Sequence, residues 1–102
     1  MSTLSTHVLD TSAGLPATGI RVRLETRSGT PLAEGFTDHD GRIGSLGDEL
    51  DAGDYVLRFE TETHFEHGFF PEVVVVFTIS DDRHHHVPVL LSPYGYSTYR
   101  GS

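Results

Sequence analysis

Cysteine, lysine and long hydrophobic runs are all missing from this sequence of 102 residues. Without cysteine, the chain can form neither disulfide bonds nor thiolate–metal sites. Fifteen acidic residues against seven arginines give a net charge of −8, which disfavours nucleic acid and anionic membranes as partners because both require clustered cations. No apolar run reaches the ~18 residues of a membrane-spanning helix. The N-terminus lacks a basic-then-apolar signal pattern, so we expect a cytoplasmic protein.

The sequence is rich in glycine and contains several prolines, the residues typical of turns. The length fits one domain spanning residues 1–102, in which 11 glycines and 5 prolines separate short apolar runs, as in strands joined by turns. Apolar and charged residues alternate strictly over 20–26, which predicts a half-buried strand. The other predicted strands are 3–10, 32–37, a brief segment from Arg42, 53–60, 73–79, 83–91 and 94–100. Strands spaced by about ten residues favour an all-β sandwich of two sheets.

One segment is predicted to be helical. Residues 61–67 are followed by Gly68, a plausible stop for a helix, and by Pro71 beyond it. The remaining scattered histidines and acidic residues fit solvated turn or helix positions; they include His39, His64, His67 and the pair Asp81–Asp82.

The histidine triplet at 84–86 is the densest group of ionisable side chains. On a strand, His84 and His86 face one way and His85 the other. Three interpretations remain open from the residues alone. The triplet can be a polar strand face, it can perform acid–base chemistry because imidazole titrates near pH 6.5, or it can chelate a metal through two side chains at i and i+2. No cysteine or acidic residue lies within this strand to complete a metal site.

Two further residues and the end of the chain are also candidates. His7 lies within a predicted strand, where a lone histidine is usually structural, and Arg42 follows a turn, where an arginine is usually solvated. The final residues, 99–102, continue from an alternating strand pattern, although such a terminus is commonly frayed. Composition and spacing alone therefore support a small all-β domain with a possible histidine site.

Several motifs taken together resemble the transthyretin-like family of 5-hydroxyisourate hydrolases. They are the segments 4–11 (LSTHVLDT), 40–42 (DGR), 69–73 (FFPEV), 86–88 (HVP) and 91–102 (LSPYGYSTYRGS). The similarity spans essentially the whole chain in the right order. The terminal Tyr-Arg-Gly-Ser is the most specific of these motifs, because it separates the hydrolases from transthyretin proper, a hormone carrier.

The resemblance implies a fold, an assembly and a reaction. The fold is a sandwich of two four-stranded sheets with one short helix. The assembly is a homotetramer, a dimer of dimers, with active sites in the channel between dimers. The reaction opens the cyclic amide of 5-hydroxyisourate to give 2-oxo-4-hydroxy-4-carboxy-5-ureidoimidazoline during urate degradation, with no cofactor or metal.

The resemblance also implies roles for individual residues. His7 and His86 match the two catalytic histidines, and Arg42 matches the catalytic arginine. The chain's Ser102 matches a terminal serine that lines the site, while Tyr99 and Arg100 fall in the segment that contacts substrate. Either histidine can be the base that activates water, with Arg42 binding the substrate's anionic oxygens. The competing interpretations are a non-catalytic carrier of small aromatic ligands and a histidine-rich metal-binding sandwich.

Overall fold

The chain folds entirely into strands and turns, described over residues 1–102 by a computed structural model. The strands are β1 (Leu4–Asp10), β2 (Leu15–Pro16), β3 (Arg21–Thr26), β4 (Pro31–Phe36), β5 (Arg42–Ile43), β6 (Gly53–Glu60), β7 (Glu72–Ile79), β8 (His85–Ser92) and β9 (Gly95–Thr98). In β3 the alternating sequence buries Val22 and Leu24 completely, whereas Arg21 and Arg23 on the opposite face stay partly exposed. The predicted alternation therefore decides which face of this strand enters the core.

Two sheets stack to form the sandwich predicted from the sequence. One sheet has five strands, in the order β2-β1-β8-β9 with β5 also paired to β1, and the other has four, in the order β4-β3-β6-β7. The expected pair of four-stranded sheets is thus extended by one, because the two-residue strands β2 and β5 both pair with β1. The β1–β8 pair is parallel, whereas all other strand pairs are antiparallel.

A single core of 16 buried residues fills the space between the sheets. Leu4 and Val8 of β1 meet Phe59 of β6 and Leu24 of β3 there, each at most 1% exposed. Truncating a buried phenylalanine such as Phe59 to alanine costs about 3–5 kcal/mol. The core thus holds β1, the strand that carries His7, rigidly against the second sheet.

The predicted helix at 61–67 is wrong, because this segment forms a series of turns. Two hydrogen bonds hold Thr61 in place. Its amide donates to Pro71 O at 3.1 Å, and its hydroxyl donates to Phe70 O at 2.7 Å. His64 bonds to Asp10 Oδ2 through Nε2 at 2.9 Å, and its side chain is only 17% exposed, so its predicted solvated position is also wrong. A helix this short is marginal without supporting packing, and these contacts stabilise the turns instead. The chain has no helix of the length and hydrophobicity needed to span a membrane.

Three of the seven arginines are paired with glutamates on the outer face of the second sheet. Arg58 contacts Glu25 and Glu72 at 3.0 Å each, while Arg21 contacts Glu34 at 2.6 Å. Arg42, by contrast, has no carboxylate within salt-bridge distance. This arginine is therefore available to an anionic ligand.

Candidate active site

The turn 38–41 places Arg42 directly opposite His7. Asp38 Oδ1 accepts hydrogen bonds from the amides of Asp40 and Arg42 at 2.9 Å each, which closes the turn. The hydrogen bonds from these two amides hold the pKa of the Asp38 carboxyl below its usual range, and the bond from the Arg42 amide has the larger effect. Strand β5 then begins with Arg42 paired to His7 across the ladder with β1.

Gly41 is the residue that lets this turn lie against β1. Its φ is 75°, a left-handed conformation that favours glycine, and a Cβ at this position would collide with the carbonyl oxygen of Val8. The Gly41 carbonyl accepts the Val8 amide at 2.7 Å. Any other residue would push the turn, and Arg42 with it, away from His7.

The hydrogen bonds of His7 define its tautomer. Its Nε2 lies 2.8 Å from the carbonyl oxygen of Asp40, and because a carbonyl can only accept, Nε2 carries the hydrogen. In the neutral ring Nδ1 is then the free acceptor. The turn that supplies Arg42 thus also orients the imidazole of His7.

His86 enters the site from the other side of β1. The parallel register pairs Ser5 with His86, and Ser5 Oγ lies 2.7 Å from His86 Nδ1. Burial lowers the pKa of His86, and the nearby Arg42, His7 and His84 lower it further, against a smaller opposing effect of Ser5. His86 is therefore neutral at pH 7. Its Nε2 has no hydrogen-bond partner within the protein.

The terminal segment folds back over His86. Proline at 88 has no amide hydrogen, and the ladder between β8 and β9 starts only at the pair Val89–Thr98. Beyond this break the Gly101 amide donates to His86 O at 2.8 Å. Gly101 lies so close to the ring that a Cβ there would be 2.5 Å from His86 Cδ2. This close approach carries Ser102 into the site.

These elements surround one open cavity of about 260 Å³. Its polar wall is formed by Ser5, Thr6, Arg42, His84, His86 and Ser102. The structure therefore brings the predicted site residues Arg42, His86 and Ser102 together in one cavity. His7 lies beside Arg42 on the neighbouring strand. Such a constellation offers a cation for an anion, imidazole rings for proton transfer and a hydroxyl.

Tyr99 and Arg100 lie on the other side of His86. They line a second cavity of about 290 Å³, with apolar residues of β7, and His86 is part of both cavity walls. The guanidinium of Arg100 is 3.9 Å from Asp81 Oδ2. Within one chain, these two predicted substrate contacts thus line a different cavity from Arg42, and His86 lines both.

The remaining two histidines of the triplet have distinct surroundings. His84 is exposed but shares Ser5 Oγ with His86, at 2.7 Å from its own Nε2. His84 precedes β8 and so is not on the predicted strand, but its ring and that of His86 meet at the same hydroxyl. His85 is only 4% exposed and donates from Nδ1 to Arg83 O at 2.7 Å, so it belongs to the interior.

One group of possible metal ligands lies outside this cavity. Asp38, His39 and Asp40 each offer one ligand atom, all within 4.8 Å of one another, on an exposed turn. The Asp38 oxygen Oδ1 is already occupied by two amides. The arrangement is that of an acidic turn and carries no metal assignment.

Comparison with known proteins identifies the family. The model of the HIUase/Transthyretin family matches residues 4–101 of the sequence. The chain belongs to this family. The resemblance first seen in scattered motifs is thus confirmed over almost the full length.

Relatives within the HIUase/Transthyretin family are similar in both sequence and fold. The "5-hydroxyisourate hydrolase" of Salmonella dublin is 50% identical, with the alignment covering 97% of this chain and 80% of the relative. The protein of the same name from Mus musculus is 44% identical over 99% of this chain and 96% of its own. The solved structure of Klebsiella pneumoniae 5-hydroxyisourate hydrolase matches with a TM-score of 0.92 and 44% identity, covering both chains completely.

Proposed function

We propose that this chain is a 5-hydroxyisourate hydrolase acting in urate degradation. Relatives at 44–50% identity over nearly the full length carry that name and support the assignment. The observation that carries the proposal is the convergence of Arg42, His86 and Ser102 on one cavity, with His7 next to Arg42. A carrier pocket for aromatic ligands would be lined mostly by apolar side chains instead.

Arg42 binds the anionic oxygens of the substrate in this proposal. It is exposed to the cavity and has no carboxylate partner to displace, whereas most other arginines of the chain are paired. A guanidinium presents two parallel N–H donors, which fit the oxygens of a planar heterocyclic anion. The same donors stabilise the negative charge that develops on the carbonyl oxygen when water attacks it.

His86 is the proton-transfer group. Its Nδ1 is held by Ser5, its Nε2 has no protein partner, and its lowered pKa keeps it neutral at pH 7. Nε2 takes a proton from the attacking water, and the hydroxide forms a bond to the amide carbon. The C–N bond of the ring then breaks, and the leaving nitrogen receives a proton from the histidine, so that protons balance over the cycle.

His7 and Ser102 position the reactants. His7 offers the lone pair of Nδ1 because its Nε2 is committed to Asp40 O. Ser102 offers a hydroxyl at the cavity wall. Tyr99 and Arg100 remain proposed substrate contacts, reached across His86 from the adjoining cavity.

We also propose that the chain works in the cytoplasm as a homotetramer, a dimer of dimers. Strand β7 is one edge of the four-stranded sheet and β9 is one edge of the other sheet, and each is a template for pairing with another copy. Val76 on β7 and Tyr96 on β9 are 48% and 42% exposed in the single chain. Sedimentation velocity would give a tetramer mass, and a monomer at micromolar concentration would contradict this assembly.

The activity test follows the decay of fresh substrate. Urate oxidised by urate oxidase supplies 5-hydroxyisourate, and its ultraviolet absorbance is followed with and without the protein. The expected result is accelerated decay, with turnover reduced about 10²–10⁴-fold in His86→Gln. Arg42→Lys keeps the charge but loses the paired donors, so it should also lose much of the turnover.

Matched controls separate local from general effects. Arg27→Ala removes an exposed arginine of a distant turn, and His67→Gln removes a histidine whose side chain is 85% exposed. Both should retain wild-type rates. If decay is no faster than without protein, the hydrolase assignment is wrong, and tight binding of the substrate without turnover would favour the carrier.

A further inference from the structure

A serine hydroxyl bridges two histidines at the floor of the cavity. Ser5 Oγ lies 2.7 Å from His86 Nδ1 and 2.7 Å from His84 Nε2. The chain of contacts continues outward, because Thr3 Oγ1 lies 2.5 Å from His84 Nδ1. Ser5 is only 8% exposed, whereas His84 and Thr3 are at the surface. The contacts thus connect the partly buried imidazole of His86 with solvent.

The hydroxyl of Ser5 couples the protonation of the two rings. It has one hydrogen to donate, so when it donates to His84 Nε2 it accepts from His86 Nδ1–H, and the reverse holds in the other state. In the first state His86 Nε2 is a lone pair that can take a proton. In the second state Nε2 of a neutral His86 carries a hydrogen that it can give away. The bridge therefore links the base and acid forms of His86.

We propose that His84 is a positioning residue that sets the tautomer of His86 through Ser5 and takes up the charge that His86 gains during the reaction. This inference rests on the proposed function, in which His86 exchanges protons with water and the leaving nitrogen. His84 needs no contact with the reacting atoms for this role.

The proton movements balance at every atom. When His86 Nε2 takes a proton from water, Nδ1 releases its hydrogen to Ser5 Oγ, and the original hydrogen of Ser5 moves to His84 Nε2. His86 is then neutral with a hydrogen on Nε2, and His84 is the cation, with Nδ1–H donated to Thr3. When His86 Nε2–H protonates the leaving nitrogen, the same hydrogens return along the bridge.

Electrostatics favours the cation on His84 over His86. The groups whose charges lower the pKa of His86 are Arg42 on β5, His7 on β1 and His84 itself. The terminal Ser102 shares one cavity wall with His86, and Tyr99 and Arg100 share the other. A charge on His86 would lie partly buried beside a guanidinium, whereas a charge on exposed His84 is hydrated. Burial and these same neighbours lower the pKa of His86, which agrees with this placement.

Two variants test the bridge. His84→Gln keeps a group that can hydrogen-bond to Ser5 but cannot accept a proton, and Ser5→Ala removes both hydrogen bonds. We expect His84→Gln to lower kcat about 10–100-fold, the range for groups that orient a functional histidine, with KM nearly unchanged. Added imidazole buffer should restore part of kcat by taking the proton instead. The double variant Ser5→Ala/His84→Gln should be no slower than Ser5→Ala alone, because the two substitutions interrupt the same hydrogen-bonded bridge.

The outcomes are distinct from those of the proposed function. His67→Gln serves as control for loss of an exposed histidine. Wild-type kcat and an unchanged pH profile in His84→Gln, while His86→Gln is inactive, would overturn the role of His84 and leave the hydrolase assignment intact. A raised KM with unchanged kcat would also overturn it, since His84 would then contact the substrate. Full activity of His86→Gln would overturn both the proton-transfer role of His86 and the role of His84 that rests on it.

Discussion

The close contact between Gly101 and His86 gives the sharpest test of the site geometry. An alanine at 101 would place its Cβ 2.5 Å from His86 Cδ2 and 3.2 Å from Cγ. Carbon atoms pack without repulsion at about 3.5–4.0 Å, so either the imidazole or the terminal segment must move by about 1 Å. Either movement displaces a group of the site, because the ring belongs to His86 and the terminal segment carries Ser102.

The expected effect is large on turnover and small on stability. A misplacement of about 1 Å at a reacting group costs on the order of 100-fold in rate, equivalent to about 2.7 kcal/mol of transition-state stabilisation. Gly101 is partly exposed and lies outside the ladder of β9, so the free energy of unfolding should change by less than about 0.5 kcal/mol. Substrate decay measures kcat for Gly101→Ala, and thermal unfolding measures its Tm.

A glycine in the same hairpin supplies the control. A Cβ at Gly95 would meet only Ser92 Oγ, at an ordinary 3.6 Å, so Gly95→Ala should keep wild-type kcat and Tm. Wild-type turnover in Gly101→Ala would refute the reasoning, because the positions of the ring and of Ser102 would then not matter. A fall in Tm of several degrees together with kcat would show a general loss of structure instead.

Three further predictions concern pH and stability. Because the lowered pKa of His86 keeps it neutral, kcat/KM should be flat near pH 7 and fall only below about pH 6.5, as the ring is protonated; a decline toward alkaline pH instead would contradict its role as base. Burial raises the pKa of Asp10, but hydrogen bonds from Ser12, His64 and Ala13 lower it more, so the net pKa is below its usual value. The ionised carboxylate therefore stabilises the fold above about pH 4, and this stabilisation is lost as the pH falls further. Asp10→Asn should therefore lower stability by about 1–3 kcal/mol at pH 7, with a difference in Tm from wild type that shrinks toward pH 3. Gly41→Ala should lower both Tm and kcat, since its left-handed φ of 75° and the Val8 carbonyl leave no room for a side chain; an unchanged Tm would show that the turn can adapt.

The fold was predictable where a strand is long enough to show alternation. In β3 and β6 every apolar position of the sequence is buried, and the two-sheet sandwich follows from several such strands. Strands β2 and β5 have two residues each, too few for any period, and they depend on pairing with β1. The segment 61–67 was predicted to be helical because local signals carry no information on the distant contact between His64 and Asp10.

The site was predictable only in part from local pattern. Alternation predicts His84 and His86 on one strand face; His84 precedes β8, yet both rings contact Ser5 Oγ. The involvement of Ser5 depends on the parallel register of β1 with β8, across 81 residues of sequence. The position of Arg42 depends likewise on tertiary pairing. The resemblance to a family supplied what the local pattern did not.

The register of β1 is what joins the separate parts of the site. One edge of this strand pairs with β5 and aligns His7 with Arg42, while its other edge pairs with β8 and aligns Ser5 with His86. A slip of one residue on either edge would turn the side chains to the opposite faces of the sheet. The fully buried Leu4 and Val8 oppose such a slip, because it would carry them out of the core. The hydrophobic residues of β1 therefore fix the relative positions of an arginine and two histidines that are far apart in sequence.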